Sequence, residues 1–268
     1  MSKTMTKQNS FGTRLSGMLK VDARRLFRTP LLWIMVGACL VMPILITVMV
    51  TMNAGKVTVD PNTGAETVMS GFESVWQLIG SLSGSSSGMT MDITTMCNIN
   101  MLYFLAAVLV CLFVSDDFRS GYAKNIFTVR AKKTDYVASK TILCTLGGMM
   151  MILAFFAGSL IGGAVSGLSF AMTGFNAGNL VMCILSKCAL MAVFIPIYLA
   201  LAVAAKQRTW LSMLLSFMCG MFLFMMIPML TPLNASLGNV CICLVGGAMF
   251  GFGLGAVSNL ILKKTSLI

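Results

Sequence analysis

The sequence predicts an all-α membrane protein with six transmembrane helices, an N-terminal interfacial amphipathic helix and a cytoplasmic helix between spans two and three. The first observation is composition: only 10% of the 268 residues are charged, and 57% are hydrophobic. A soluble domain carries about 25% charged residues, because its surface faces water. Much of this surface must therefore face lipid. Two further observations, the lengths of the apolar stretches and the distribution of lysine and arginine, set the span count and the topology.

Six stretches are long and apolar enough to cross a membrane. Because a helix rises about 1.5 Å per residue, crossing a hydrocarbon core of about 30 Å needs about 20 residues. The predicted spans are 31–53, 94–115, 141–164, 179–204, 209–230 and 238–262. They contain no acidic residue, and Lys187 is the charged residue that lies well inside a span. Residues 31–268 are therefore predicted to form one six-helix transmembrane domain.

The basic residues identify the cytoplasmic side, where membrane proteins concentrate lysine and arginine. Of the 19 basic residues, 17 lie in the N-terminal segment, the second connection, the fourth connection and the tail. Lys56 alone lies on the opposite side. We therefore predict a multi-pass protein of the bacterial cell membrane with both termini cytoplasmic and an extracytoplasmic loop at 54–93. This sorting also argues against a nucleic-acid partner, which a net charge of +11 would suggest in a soluble chain.

Residues 1–30 are predicted to form a cytoplasmic tail followed by a helix on the membrane surface. Between residues 11 and 28 the apolar residues recur at helical spacing, and the basic residues take other positions: Phe11, Leu15, Met18, Leu19 and Leu26 against Arg14, Lys20, Arg24 and Arg25. Such a helix buries its apolar face at the headgroup boundary. A disordered basic tail is the alternative, and it suits residues 1–10 better. Pro30 is expected to end the helix, because the residue before a proline disfavours the α region.

The loop 54–93 is predicted to contain a hairpin and a short helix. Two short alternating runs flank the turn residues Pro61, Asn62 and Gly64. One face of a helix then follows, made by Phe72, Val75, Trp76, Ile79 and Leu82, before a Gly/Ser linker at 83–88. The sequence leaves open whether this module contacts a ligand or passively caps the span ends.

The second connection, 116–140, is cytoplasmic and too long for a tight turn. Phe118, Tyr122 and Ile126 repeat every four residues, with Phe127 beside them, which predicts a short helix with one apolar face. Asp116 and Asp117 are expected near the N-terminus of this helix, where acidic residues are favourable. The aromatic face is suited to a cytoplasmic partner; a helix that rests on lipid is the alternative.

Four residues of this connection resemble the signature of ABC-2 type exporter permeases. That family has an acidic residue shortly before a glycine, a basic residue twelve positions after the glycine, and a lysine seven positions later. Asp117, Gly121, Lys133 and Lys140 fall on this pattern without a gap. The chain departs from the family at Arg130, where a proline is usual, and at Lys133, where arginine is common. The family's hairpin before the sixth span is missing or very short, since only 231–237 are available for it.

The resemblance implies the permease subunit of an ATP-driven ABC exporter that moves an amphipathic peptide, antibiotic or lipid-like cargo out of the cell. It implies a second permease subunit, identical or similar, and two copies of a separate ATP-binding subunit that hold ATP and Mg²⁺, so no cofactor is expected on this chain. The segment 117–128 would be a coupling helix that docks on that subunit. The expected coupling residues are Asp117, Phe118, Gly121, Tyr122, Ile126, Phe127, Arg130 and Lys133. Of these, the four apolar residues of the stripe would be the anchors, and Arg130 and Lys133 would be rim contacts.

The sequence offers no catalytic machinery. It contains no GxxxxGK[ST] phosphate loop and no histidine, and its nine cysteines lack the paired spacing of a metal site. We therefore predict a transport subunit rather than an enzyme, with no catalytic residue and no metal. A stand-alone secondary carrier or channel is the first alternative, although it would need ionisable groups within its spans. A non-transporting membrane immunity or scaffold protein is the second.

Lys187 has two interpretations that the sequence does not separate. If it faces lipid, its stem can extend partway toward the interface. If it faces the bundle, it would create an anion-attracting cavity on a possible cargo path.

Overall fold

The computed structural model describes residues 11–59, 66–68, 71–82, 98–129 and 132–264, and most of them are helical. The helices are α1 (Phe11–Arg28), α2 (Pro30–Asn53), α3 (Leu102–Arg119), α4 (Tyr122–Val129), α5 (Lys133–Ser166), α6 (Ala177–Ala205), α7 (Thr209–Phe224), α8 (Met226–Leu230) and α9 (Leu237–Lys264). A small antiparallel pair, β1 (Val57–Val59) and β2 (Glu66–Val68), and two 3₁₀ turns, Val75–Leu78 and Ile99–Met101, lie between α2 and α3. The all-α membrane class is confirmed, since five helices in the described ranges are long and apolar enough to cross a membrane: α2, α3 with its preceding turn, α5, α6 and α9.

Helix α6 lies at the centre of the bundle and packs against α3, α5, α7 and α9. In the most apolar segment of each helix, 67% of α3 and 61% of α6 is buried inside the protein, whereas only 17% of α9 is buried. Large apolar side chains on these helices are mostly exposed: Phe222 of α7 is 80% exposed and Phe252 of α9 is 82% exposed. The outer faces of α7 and α9 therefore present apolar surface to the surroundings of the chain.

Helices α2 and α5 approach each other closely at two glycines. A Cβ atom added at Gly158 would overlap the carbonyl oxygen of Leu40 and lie 2.7 Å from Cγ of Pro43. One added at Gly162 would lie 2.9 Å from Cα of Ile44. The spacing of four residues between small side chains permits this contact, as it does in other membrane helix pairs.

The end of the bundle remote from α1 is covered by the described part of the loop 54–93. The ring of Trp76 makes edge contacts with the rings of Phe170 and Phe175, which lie between α5 and α6. The backbone N–H of Leu233, between α8 and α9, donates to the carbonyl oxygen of Ser81 over 2.9 Å. This packing joins the loop to two other connections at the same end of the bundle. The Gly/Ser linker at 83–88 and the turn residues 60–65 lie outside the described residues.

Helix α3 continues further than the sequence predicts, and this changes the place of two aspartates. Asp116 and Asp117 lie in its last turn instead of at the N-terminus of the next helix, which begins at Tyr122. Gly121 makes the turn between α3 and α4 with a φ of +74°, a backbone conformation that glycine adopts without steric cost. A carboxylate at a helix C-terminus is unfavourable for the helix dipole, so Asp116 and Asp117 need cationic partners.

The predicted fifth span, 209–230, is interrupted after Phe224. Pro228 has no N–H to donate and its ring crowds the carbonyl four residues earlier, which is that of Phe224. The chain therefore divides into α7 and the short α8.

Candidate coupling site

Three charged side chains that are fully removed from solvent lie together where α1, α3 and α5 meet. The ammonium of Lys140 lies 2.7 Å from Oδ2 of Asp117 and 3.2 Å from Oδ1 of Asp22. All three side chains are 0% exposed. A buried charge is tolerated where it is paired and hydrogen-bonded, so the position of each side chain depends on the other two.

Arg25 of α1 completes the charge balance of this group. One guanidinium nitrogen lies 2.6 Å from Oδ1 of Asp117, and the other lies 3.6 Å from Oδ2 of Asp116. The guanidinium also lies over the ring of Tyr122, 3.7 Å from its centroid. Two cations, Arg25 and Lys140, thus face the two buried carboxylates of Asp22 and Asp117. We call these four residues the ionic cluster.

Three hydroxyl groups satisfy the carboxylate oxygens of the ionic cluster. Tyr136 donates to Oδ2 of Asp117 over 2.8 Å, and Ser139 donates to Oδ2 of Asp22 over 2.8 Å. Tyr122 donates to Oδ1 of Asp22 over 3.1 Å. Burial raises the pKa of Tyr122 to about 12, and the negative charge of Asp22 adds to this, so the phenol keeps its proton at physiological pH. All four carboxylate oxygens of Asp22 and Asp117 therefore have a partner.

The residues of the ionic cluster come from α1, α3 and α5, and the hydrogen bond from Tyr122 to Asp22 adds α4 to these three helices. Two further contacts support the same end of the bundle. Arg14 of α1 lies 2.9 Å from Asp135 of α5, and Lys133 donates to the carbonyl of Leu262 in the last turn of α9. Three of the four residues on which the sequence resemblance rests, Asp117, Lys133 and Lys140, therefore make contacts between helices, and the fourth, Gly121, makes the turn.

The apolar stripe of α4 faces the protein's own interior. Phe118 is buried at the end of α3, while Ile126 and Phe127 are partly buried and pack on the same core. The ring of Phe127 meets that of Tyr136 edge-on, with 5.3 Å between centroids. The prediction that these residues and Tyr122 contact a partner directly stays a prediction, and Arg130 lies outside the described residues.

The opposite face of this segment is polar and exposed. It consists of Arg119, Ser120, Lys124, Asn125 and Thr128. The surface that α4 presents to the outside of the chain is therefore basic and polar, and its apolar stripe lies beneath that surface.

Lys187 lies inside the bundle and is only 1% exposed, so the lipid-facing interpretation does not hold. Its ammonium donates to Oδ1 of Asn100 and to Oγ1 of Thr231, each over 2.9 Å. Tyr103 donates to the backbone carbonyl of Lys187 over 2.9 Å. This group lies on α6 toward the end of the bundle that Trp76 covers, and it is separate from the ionic cluster.

Sequence reasoning missed Asp22 and Arg25 as members of the site. Asp22 carried a signal: it is the acidic residue within a basic amphipathic helix, and it falls between Met18 and Leu26 at spacings of four. All three are buried on the same face of α1.

Within the part of the chain that the structure describes, no three His, Cys, Asp or Glu side chains are grouped in a way that could hold a metal ion.

Comparison with known proteins gives one match. A sequence model described as ABC-2 family transporter protein matches residues 18–223, a range that begins in α1, ends in α7 and includes the whole ionic cluster. No curated protein and no solved structure matches the chain. The match confirms the resemblance carried by Asp117, Gly121, Lys133 and Lys140: the chain belongs to the family of ABC-2 transporter proteins and is a multi-pass membrane transport protein.

Proposed function

We propose that the chain is the membrane-spanning permease subunit of an ATP-driven ABC exporter, which moves an amphipathic peptide, antibiotic or lipid-like cargo out of the cell. The family membership supports a transport subunit. The observation that carries the coupling role is the ionic cluster, because its charges join α1, α3 and α5, and Tyr122 of α4 is hydrogen-bonded to it at Asp22. A displacement of α4 therefore reaches two long apolar helices directly.

The proposed assembly has two permeases, identical or similar, and two ATP-binding subunits that hold ATP and Mg²⁺. The concentration of lysine and arginine supports a cytoplasmic place for α1, α4 and both termini. The exposed apolar side chains of α1, such as Phe11 and Val21, support a helix that lies at the headgroup level of the membrane.

The proposal includes six spans, the fifth of which is composite. Helix α7 has 16 residues and covers about 24 Å, which is shorter than a hydrocarbon core of about 30 Å. The five residues of α8 add about 7 Å, so α7 and α8 together have the length of a span.

In the proposed coupling mechanism the two faces of α4 have different tasks. The exposed residues Lys124, Asn125 and Thr128 contact the ATP-binding subunit, as their exposure and polarity favour. Tyr122 and Phe127 transmit the movement inward, since Tyr122 is bonded to Asp22 and Phe127 packs on Tyr136. Coupling by this route needs no nucleotide site on the chain.

The double substitution Tyr122→Ala and Phe127→Ala is expected to uncouple ATP hydrolysis from export. It removes the inward contacts of α4 but leaves the exposed face for the ATP-binding subunit. We expect ATP hydrolysis by the reconstituted complex to continue while export falls by about tenfold or more, as for loss of contacts worth about 1.4 kcal/mol or more. Phe252→Ala, which removes an exposed aromatic ring from α9 and no inward contact of α4, is the control and is expected to leave export unchanged. Full export by the double variant would refute this mechanism.

Purification of the tagged chain from its native membrane tests the function itself. The proposal requires an ATP-binding subunit in a one-to-one ratio with the permease chains. A stand-alone carrier or channel, or an immunity or scaffold protein, would purify without that subunit, and this result would replace the proposal.

A further inference from the structure

We propose that the ammonium of Lys187, which Asn100 and Thr231 hold inside the bundle, recognises an anionic group, a carboxylate or a phosphate, on an amphipathic ligand within the membrane. The inference rests on the exporter function proposed above and names the chemistry of its cargo. It is carried by the hydrogen bonds of Lys187, by its burial and by its neighbours.

The hydrogen bonding of Lys187 leaves part of its capacity unused. An ammonium has three N–H donors. Two of them reach neutral oxygens, Oδ1 of Asn100 and Oγ1 of Thr231. Among the described residues, no carboxylate forms an ion pair with Lys187, in contrast to Lys140 at the other end of the bundle. The hydrogen bonds of the described residues thus leave the third donor for an incoming acceptor.

Burial makes an anion a favourable partner for this lysine. Lys187 is 1% exposed, Asn100 is 3% exposed and Thr231 is 1% exposed, so water screens the ammonium very little. A buried charge without a counter-charge is costly, and an opposite charge in a dry site recovers much of that cost. A hydrogen bond from an ammonium to an anion also gains the attraction between opposite charges, which a bond to a neutral oxygen lacks.

The surroundings suit the apolar part of an amphipathic ligand. The segment that supplies Asn100 also lines a cavity of about 80 Å³, together with Cys39, Met42 and Phe155. The lining of this cavity is apolar. The lining includes Asn98 and Met101, which flank Asn100 in the chain, so the space for part of an apolar chain lies next to the segment that holds Lys187.

The contact with Thr231 connects the site to the covered end of the bundle. Thr231 follows α8, and two residues later the N–H of Leu233 donates to Ser81 of the covering loop. An anion that accepts from the third N–H of Lys187 attracts the ammonium away from Oγ1 of Thr231, and so weakens the contact of α6 with the connection between α8 and α9. Ligand binding and release of this connection are thereby linked by one exchange of hydrogen bonds.

The test is a binding measurement on the full chain in nanodiscs of phosphatidylcholine, with dodecanoate, dodecyl phosphate and dodecanol as probes. The two anions are expected to bind about tenfold or more tightly than the alcohol. Lys187→Met is expected to remove this preference, and Lys56→Met, which removes a lysine from an exposed position, is expected to keep it. Equal binding of dodecanoate by the Lys187→Met variant and the unchanged chain would overturn the proposal.

Thr231→Val provides an independent arm if Lys187→Met does not fold. It removes a competitor for the ammonium, so dodecanoate is expected to bind about twofold to tenfold more tightly. Unchanged or weaker binding would overturn the proposal.

Nanodiscs that contain phosphatidylglycerol separate two sources of the anion. Competition of this lipid with dodecanoate assigns the site to a lipid headgroup, and lack of competition assigns it to a separate amphiphile. An ATP-binding subunit that purifies with a chain lacking this preference would refute the site and leave the exporter function intact.

Discussion

Replacement of Lys140 by methionine is expected to destabilise the folded protein by about 3–5 kcal/mol, the cost of removing one partner from a buried ionic group. Lys140 neutralises the carboxylates of Asp22 and Asp117, and all three side chains are withdrawn from solvent. Without it, Arg25 alone faces two buried carboxylates, since it reaches Asp117 but has no ion pair with Asp22 among the described contacts. Thermal unfolding followed by tryptophan fluorescence measures the loss.

The controls for this substitution separate charge balance from loss of a side chain. Lys124→Met removes a lysine from the exposed face of α4 and is expected to change stability by less than about 0.5 kcal/mol. Adding Asp22→Asn to Lys140→Met leaves Arg25 and Asp117 as a balanced pair, so a large part of the lost stability is expected to return. If Lys140→Met unfolds at the same temperature as Lys124→Met, the cluster does not hold this end of the bundle together.

Gly158→Ala is expected to destabilise the protein by about 1–3 kcal/mol, because overpacking a close helix contact forces the backbones apart. The added methyl group would overlap the carbonyl oxygen of Leu40, and the ring of Pro43 cannot move aside independently of α2. Chemical unfolding in mild detergent measures the change.

Gly251→Ala is the matched control, since a Cβ atom there meets nothing within 4 Å. It is also inside a helix, where alanine is favoured over glycine by about 1 kcal/mol. Equal stability of the Gly158 and Gly251 variants would show that α2 and α5 do not pack as described.

Hydropathy predicted where the apolar helices lie because crossing a membrane constrains the length and composition of each helix separately. The ends of helices depend on local backbone chemistry that the apolar pattern does not contain. Helix α3 extends through Asp117, and Gly121 then turns the chain. The apolar stripe from Phe118 to Ile126, which the sequence predicts to lie on one helix, is therefore divided between α3 and α4. The interruption at Phe224 follows from Pro228, whose effect the hydropathy average conceals.

The candidate site was predictable only where spacing along the chain carried information. The distances between Asp117, Gly121, Lys133 and Lys140 gave the family, but not the contact between Asp117 and Lys140. Asp22 and Arg25 join them from a helix more than 90 residues earlier, and only tertiary packing brings those segments together. The environment of Lys187 depends in the same way on Asn100 and Thr231, which hydropathy treats as incidental polar residues.

The proposed function requires that the exposed face of α4 contacts the ATP-binding subunit in the cytoplasm. A photo-crosslinking amino acid at position 124 tests it in intact cells, with the same group at position 56, in the connection after α2, as the control. We expect an adduct with the ATP-binding subunit from position 124 and none from position 56. An adduct from position 56, or none from position 124 while export proceeds, would contradict it.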